Sequence, residues 1–194
     1  MGHRELLLDA ARRLLEDKGY AHITARDLVA ASGTNLASIG YHFGSKNGLL
    51  NAALGDVFEE WTDALAEVAL ADPHASPLQR AHLTWATVLL HLADKRALLL
   101  SFVEALAQAE RDPALREQLA EVQDRTRTRV AEIVATSYGD ADVHADDPRC
   151  TAVAGFILAV CDGLALQWLL DPQRSPRPEH LLAGLNDLVA RSQN

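Results

Sequence analysis

The side chains that could do chemistry are concentrated near the N-terminus. Tyr41 and His42 stand side by side, and Lys46 follows after a Gly-Ser pair. Hydroxyl, imidazole and ammonium groups all donate hydrogen bonds to phosphate oxygens, and free amides in the first turn of a helix also favour an anion. Ala37 and Ser38 are small, so a backbone carrying them can approach base edges closely. These residue types predict a surface that clamps phosphates beside one that faces bases.

Two short helices must position these side chains. Apolar spacing predicts helices over residues 24 to 31 and 35 to 41, joined by a turn in which Gly33 supplies a positive φ. The expected N-cap residues are Thr24 and Asn35, and the expected inward residues are Leu28 and Ile39. A near-perpendicular helix pair of this size fills a DNA major groove, so the pattern predicts a helix-turn-helix at about residues 24 to 43.

The same stretch resembles the N-terminal head of the TetR family of repressors. The matching residues are Gly19-Tyr20, Thr24-Ala25-Arg26-Asp27-Leu28, Ala31-Ser32-Gly33, Tyr41-His42-Phe43-Gly44-Ser45-Lys46 and Leu49-Leu50. The resemblance implies phosphate contacts from Thr24, Arg26, Tyr41, His42 and Lys46, and base-facing positions for Asn35, Leu36, Ala37 and Ser38. Beyond the head, only Asp162-Gly163-Leu164 and Leu169-Leu170-Asp171-Pro172 look like features of the family's dimerisation helices.

Gly40 departs from the family pattern, which very often has an aromatic residue there. The departure puts one phosphate contact in doubt, and a glycine inside a helix costs about 1 kcal/mol relative to alanine. Two other positions have alternative roles. Phe43 is expected in the core rather than at DNA, and Arg26 could pair with Asp27 or Glu16 instead of a phosphate.

Net charge differs between the two ends of the chain. The whole chain carries a formal charge of -9, which would seem to exclude a polyanion partner. Residues 1 to 50 nevertheless hold six Lys and Arg against five acidic residues, so the acidic excess lies beyond them. A near-neutral head on an acidic body suits a protein that meets phosphates at one end only.

Helix signals fill the chain and strand signals are missing. Ser76-Pro77, Asp112-Pro113 and Asp147-Pro148 each combine an N-cap residue with a first-turn proline. The nine predicted helices span residues 3 to 18, 24 to 31, 35 to 41, 46 to 70, 77 to 92, 95 to 109, 113 to 137, 148 to 170 and 178 to 192. The expected fold is all-α, with a DNA-binding domain at 1–48 and a helical ligand-sensing and dimerisation domain at 49–194.

The chain carries no ordinary secretory signal, so a cytoplasmic location is expected. Cys150 and Cys161 fall on one predicted helix roughly 16 Å apart, which is too far for a disulfide. Residues 150 to 170 come close to membrane-spanning length. Their flanks are acidic and supply no basic anchor, so burial against a second subunit is the favoured interpretation and no membrane partner is expected.

In the resembling family, the larger domain usually holds a small-molecule pocket whose ligand shifts the DNA heads. Inward-pointing residues that could line such a pocket are Phe58, Trp61, His82, Trp85, Leu89, Phe102, Leu106 and Phe156. All are also ordinary core residues. Polar candidates for contacting an effector are Glu104, Gln108, Asp162 and Gln167, although an interface hydrogen bond is favoured for Asp162.

Dimerisation follows from apolar residues left over once a single-chain core is filled. The predicted interface residues are Leu158, Asp162, Leu166, Leu181, Leu182, Leu185 and Leu188. Two copies would build a four-helix bundle with two-fold symmetry. The heads would then meet major grooves about 34 Å apart, which predicts a palindromic operator as the DNA partner.

Other function classes find less support. The sequence lacks a phosphate-binding glycine loop, a nucleophile elbow and zinc-ligand spacing, so no enzyme activity, metal or cofactor is expected. The acidic loop from Asp140 to Asp147 lacks the glycine and closing glutamate of a calcium loop. The alternative to a repressor is a helical ligand-binding or interaction module whose head no longer binds DNA, which only Gly40 favours.

Overall fold

The computed structural model describes residues 2–140 and 142–192, apart from the side chains of residues 77, 78, 178, 188, 189 and 192. Within these residues the fold is all-α, which confirms the prediction. The helices are α1 His3–Lys18, α2 Ala25–Ser32, α3 Leu36–Phe43, α4 Lys46–Leu70, α5 Pro77–His91, α6 Arg96–Ala109, α7 Pro113–Tyr138, α8 Pro148–Leu170 and α9 Pro178–Ser192. A short 3-10 turn, Tyr20–His22, precedes α2.

The helix starts follow from local capping. Ser76 caps α5, since its hydroxyl accepts from the amide of Gln79 at 3.3 Å while the Gln79 side chain accepts from the amide of Ser76 at 2.7 Å. Asp112 accepts from the amide of Ala114 at 3.0 Å, and Asp147 accepts from that of Arg149 at 2.8 Å. Each cap stabilises its helix by about 1 kcal/mol, which explains why the predicted starts agree with the observed ones.

The chain divides into two compact units. The first unit comprises Met1–Trp61 with Asp94–Thr126, and the second comprises Thr62–Ala93 with Arg127–Asn194. Long α4 and α7 therefore each contribute one part to each unit. The functional boundary at residue 48 stays a prediction, because compactness of packing does not test where DNA binding ends and ligand sensing begins.

The core of the first unit joins the head to α6 and the start of α7. Leu28 and Ile39 are buried at 0% and 4% exposure, which confirms that they lie inward. Leu98 of α6 and Leu115 of α7 belong to the same buried cluster. Each fully buried leucine or isoleucine contributes about 1.5–3 kcal/mol, so α2 and α3 depend on residues far along the chain for their support.

A buried arginine organises the second unit. Arg80 on α5 donates to the carbonyl oxygens of Ala69 at 2.8 Å, Pro73 at 3.2 Å and Ala75 at 3.0 Å. Ala69 lies in the last turn of α4, where the helix dipole favours a cation. Arg80 thereby fixes the connection between α4 and α5 and satisfies carbonyls that would otherwise be left without donors.

Helix α8 leaves most of its apolar surface uncovered in the single chain. It is long and apolar enough to cross a membrane by length and composition alone, and its most apolar 18-residue window has a mean hydropathy of 1.9 with 11% of that window buried. Leu166 is 52% exposed and Leu170 is 87% exposed. An uncovered surface of this kind is typical of a helix that packs against something outside its own chain.

Candidate nucleic-acid interface

A capping box starts α2. The Thr24 hydroxyl accepts from the amide of Asp27 at 3.1 Å, and the Asp27 carboxylate accepts from the amide of Thr24 at 2.8 Å. The ammonium of Lys18 lies 2.7 Å from the same carboxylate. The Lys18 bond, followed by those from Thr24, holds the pKa of Asp27 well below its ordinary value. Asp27 thus pairs with Lys18, and exposed Arg26 remains outside this cluster.

Backbone geometry at two glycines sets the ends of the helix pair. Gly33 ends α2 with φ 67° and ψ 21°, the left-handed conformation predicted for the turn. Asn35 then caps α3 by accepting from the amide of Ser38 at 3.0 Å. Gly44 ends α3 with φ 72°, so the helix runs to Phe43, two residues beyond the expected end.

The outer face of α3 carries four residues, which are Leu36, Ala37, Gly40 and Tyr41. Leu36 is 56% exposed and Tyr41 is 86% exposed. Space around Gly40 is open, because a Cβ built there would meet no atom within 4 Å. Positions 36, 37, 40 and 41 share one side of a helix, and we call this surface the α3 outer face.

Ser38 was predicted to face the bases, but the structure places its side chain on the other side of α3. Its side chain is 8% exposed and lies on the inner side of α3, beside buried Ile39. The Ser38 hydroxyl bonds to Nδ1 of His3 at 2.9 Å and to the Asn35 side chain at 3.2 Å. The reason is helix phase, because two residues after Leu36 the side chain has turned about 200° away from the outer face. His3, which the sequence analysis missed, thereby ties α1 to α3.

Tyr41 and His42 form the end of the candidate phosphate surface. Their rings meet edge to face at 4.8 Å, and both side chains are exposed. Phe43 instead packs partly buried against the core, with the guanidinium of Arg4 5.6 Å from its ring centroid. This placement agrees with the expected core role of Phe43 and leaves the tyrosine hydroxyl and the imidazole available to a ligand.

Lys46 lies inside the head rather than fully in solvent. Its ammonium donates to the carbonyl of Ile23 at 2.9 Å and lies 6.0 Å from the centroid of the Tyr20 ring. Burial lowers the pKa of Lys46 below its ordinary value. An ammonium has three donors, so a bond to Ile23 leaves capacity for a phosphate oxygen. The phosphate contact of Lys46 stays a prediction. The structure adds its bond to Ile23, which precedes the N-cap residue of α2.

Helix α6 binds the 3-10 turn directly. The amide of Tyr20 donates to the buried hydroxyl of Ser101 at 3.2 Å, and the amide of Ala21 donates to the carboxylate of Glu104 at 2.8 Å. The Tyr20 hydroxyl donates to the side chain of Asn51 at 2.9 Å, and burial raises the pKa of Tyr20 above its ordinary range. Glu104, expected as an effector contact, is therefore engaged by the head.

The predicted pocket residues fall into both units. In the first, Phe58 lies 6.2 Å from Trp61 and 5.1 Å from Phe102 between ring centroids. In the second, Trp85 lies 6.5 Å from Phe156, with His82 and Leu89 on the same helix as Trp85. The expectation that all eight point inward is wrong for Leu106, which is 46% exposed, and for Phe156, which is 50% exposed.

The other predicted residues are mostly at the surface of the single chain. Gln108 and Gln167 are exposed, so neither is the buried amide that was expected. Asp162 is also exposed, although loss of solvent around its carboxyl raises its pKa. Of the interface leucines, Leu166 is exposed, Leu158, Leu181, Leu182 and Leu185 are half-buried, and the side chain of Leu188 lies outside the described residues. The dimer interface stays a prediction.

Two family models match the chain. One, described as bacterial regulatory proteins of the tetR family, matches residues 7–53. The other, described as the C-terminal part of BetI-type transcriptional repressors, matches residues 77–193, which is more than half of the chain. The chain belongs to the TetR family of transcriptional regulators. This TetR-family regulator is therefore a DNA-binding protein with a ligand-binding domain, in a family of regulators rather than enzymes.

Similar proteins cover nearly the whole regulator. The HTH-type transcriptional regulator CymR of Pseudomonas putida is 29% identical over 177 residues, covering 88% of this chain and 82% of CymR. Crystal structures of the multidrug binding protein EbrR superpose with a TM-score of 0.68 for its ethidium complex, at 29% identity over 96% of this chain and 97% of EbrR. Its imidazole complex gives 0.67 at 30% identity, over 95% and 88% of the two chains.

Proposed function

We propose that this regulator is a homodimeric repressor that binds a palindromic operator through the α3 outer face. The observation that carries the proposal is the contrast between the two sides of α3. Ser38 and Ile39 are fixed inward, whereas Leu36, Ala37, Gly40 and Tyr41 are open to solvent at the end where phosphate donors gather. A helix presented in this way has a free surface for base edges, with Tyr41 and His42 beside it for the backbone.

Selection of bound sequences from random duplex DNA tests operator binding. The wild-type protein is expected to enrich a palindrome, and the double variant Tyr41→Ala, His42→Ala is expected to lose the enrichment. The matched control, Tyr138→Ala with His144→Ala, removes the same residue types from the second unit and should keep it. If a dimeric wild-type protein enriches no sequence in the absence of effector, the head is vestigial and the proposal fails.

The second subunit in this proposal covers α8 and α9. Apolar residues Leu158, Leu166, Leu181 and Leu185 supply the contact, and Asp162 would find a hydrogen-bond partner across the two-fold axis. Sedimentation equilibrium measures the mass directly. We expect Leu166→Glu to yield monomers, because it places a charge in an apolar interface. The control Leu90→Glu changes a leucine on α5 that is 77% exposed and should remain dimeric. A wild-type monomer would contradict the assembly.

Release by a small-molecule effector in the cytoplasm completes the proposed function. Support comes from family membership and from EbrR, which is similar to this chain and was crystallised with ethidium and with proflavin. An effector that prefers the conformation unable to bind DNA lowers operator affinity in proportion to that preference. Fluorescence polarisation of a labelled operator, titrated with aromatic compounds that do not intercalate, measures the release. An affinity unchanged by every compound that binds the protein would contradict it.

A further inference from the structure

Two buried ring nitrogens on α5 have no hydrogen-bond partner among the described residues. Trp85 is 2% exposed, and its Nε1–H group donates to no acceptor among the described residues. His82 is half-buried as a residue, but its Nδ1 atom is buried and also has no partner. An indole N–H usually finds an acceptor when it is buried, and leaving one unmet is costly. Both atoms are therefore open to a hydrogen bond with a group that is not part of the described chain.

The two rings lie on one side of α5. Residues three positions apart are neighbours on a helix surface, with Cβ atoms about 5–6 Å apart, so the two rings belong to the same part of the helix surface. The nearby hydroxyls of Thr84 and Thr87 already donate to the carbonyls of Arg80 and Leu83, at 2.9 Å and 2.8 Å. Those hydroxyls are satisfied within their own helix, in contrast to the two ring nitrogens.

A hydroxyl group fits both nitrogens whichever imidazole tautomer is present. The Trp85 nitrogen can only donate, so its partner must accept. Nδ1 of His82 accepts in one tautomer and donates in the other. A hydroxyl oxygen can accept two bonds while its hydrogen donates one, so it serves either case. An ammonium group cannot accept from Trp85 and is excluded as the partner.

Phe156 indicates that the rest of the ligand is aromatic. Its ring is 50% exposed and lies 6.5 Å from Trp85, with the two planes inclined at 65°. A half-exposed phenylalanine beside a buried tryptophan offers an uncovered aromatic face at the edge of the polar pair. Aromatic rings stack on such faces with favourable energy beyond the area that they bury.

We propose that His82 and Trp85 are the polar end of the effector site and that this site takes aromatic hydroxyl compounds. The inference rests on the proposed function, because it assigns the effector of that regulator. Of the eight predicted pocket residues, the proposed site comprises His82, Trp85 and Phe156, which all lie in the second unit. Phe58, Trp61 and Phe102 have no part in it.

Calorimetric titration of the full-length protein with 2-naphthol and with naphthalene tests the proposal. The two probes share a ring system and differ by one hydroxyl. Trp85→Phe keeps an aromatic ring but removes the N–H, so we expect it to weaken 2-naphthol binding about tenfold and to change naphthalene binding less than about twofold. The control Thr87→Ala, on the same helix, should alter neither affinity. A loss of affinity that both probes share would reflect a changed pocket, whereas a loss confined to 2-naphthol reflects the hydroxyl.

An NMR measurement on the wild-type protein covers the case in which Trp85→Phe does not fold. The chain has three tryptophans, so three indole N–H signals are expected. The Trp85 signal should move on adding 2-naphthol and stay in place with naphthalene. Absence of 2-naphthol binding, an unmoved Trp85 signal, or equal losses for both probes would each overturn the proposal. Operator binding by the same preparation, measured separately, shows whether the regulator itself remains functional, so the two failures are distinguishable.

Discussion

The backbone amide of Ala21 donates to the carboxylate of Glu104 at 2.8 Å, across 83 residues of sequence. Ala21 lies in the 3-10 turn directly before α2, and Glu104 lies on α6. The neighbouring bond from Tyr20 to Ser101 ties the same two elements together. The turn that precedes the proposed DNA-facing helices is therefore held by a helix outside the N-terminal head.

Loss of the Glu104 carboxylate should lower both the stability of the fold and the affinity for operator DNA. Glu104→Ala leaves the Ala21 amide without its charged acceptor, so the free energy of unfolding in urea should fall by about 1–2 kcal/mol. Operator affinity should fall as well, because the turn before α2 is no longer fixed. Gln108→Ala, one turn further along α6 and exposed, is the control and should change neither. Equal behaviour of the two variants would show that the bond contributes nothing.

Replacement of Ser38 should cost stability but not sequence preference. Its hydroxyl bonds to His3 and Asn35 on the inner side of α3, so Ser38→Ala is expected to lower the free energy of unfolding by about 1 kcal/mol. The selected operator motif should stay the same, whereas Ala37→Ser on the outer face should change it. An altered base preference in Ser38→Ala would show that the Ser38 side chain does contact bases.

Two glycines should respond in opposite directions to the same substitution. Alanine favours a helix interior by about 1 kcal/mol over glycine. Gly40 has open space around it, so Gly40→Ala should raise the free energy of unfolding by up to that amount. At Gly48 a Cβ would lie 2.3 Å from the Phe43 carbonyl oxygen, so Gly48→Ala should destabilise the head despite the same helical gain. Urea unfolding of both variants measures the difference, and an equal sign for both would contradict it.

Stability should depend on pH through Asp27. The pKa of its carboxyl is lowered in the folded chain, mainly by Lys18 and then by Thr24, from an ordinary value of 3.8. A lowered pKa stabilises the fold above the unfolded value and loses that contribution as the pH falls through the folded value. Asp27→Asn should therefore be less stable than wild type at pH 7, with the gap closing below pH 3.8. A gap independent of pH would show that the charge is not responsible.

Lys46 should contribute to DNA binding through its charge. Lys46→Ala is expected to weaken binding to all sequences and to reduce the salt slope of log K by about one unit, because one phosphate loses its cation. The variant also loses the bond to the Ile23 carbonyl, so its unfolding must be measured in parallel. If the variant unfolds more easily but its salt slope is unchanged, Lys46 stabilises the head through its bond to Ile23 and does not contact a phosphate.

Local signals determined the helices of this protein. Ser76, Asp112 and Asp147 cap their helices with their own side chains, and Gly33 and Gly44 end α2 and α3 through backbone conformations available to glycine. Such signals act within three or four residues, so they can be identified in the sequence without knowing the fold. The motif of the N-terminal head can be identified in the sequence for the same reason, because its residue types and spacings lie within one short stretch.

Only the tertiary structure decided how the chemical side chains are used. Helix phase turns Ser38 inward, but the sequence does not show that its hydroxyl would bond to His3. Nor does it show that Glu104 would accept from the amide of Ala21, or that Lys46 would donate to the carbonyl of Ile23. These partners are 35, 83 and 23 residues away along the chain. A sequence pattern gives the face of a helix but not the group that comes to lie against it. That group is chosen by the packing of distant elements, where each buried polar atom must find a partner.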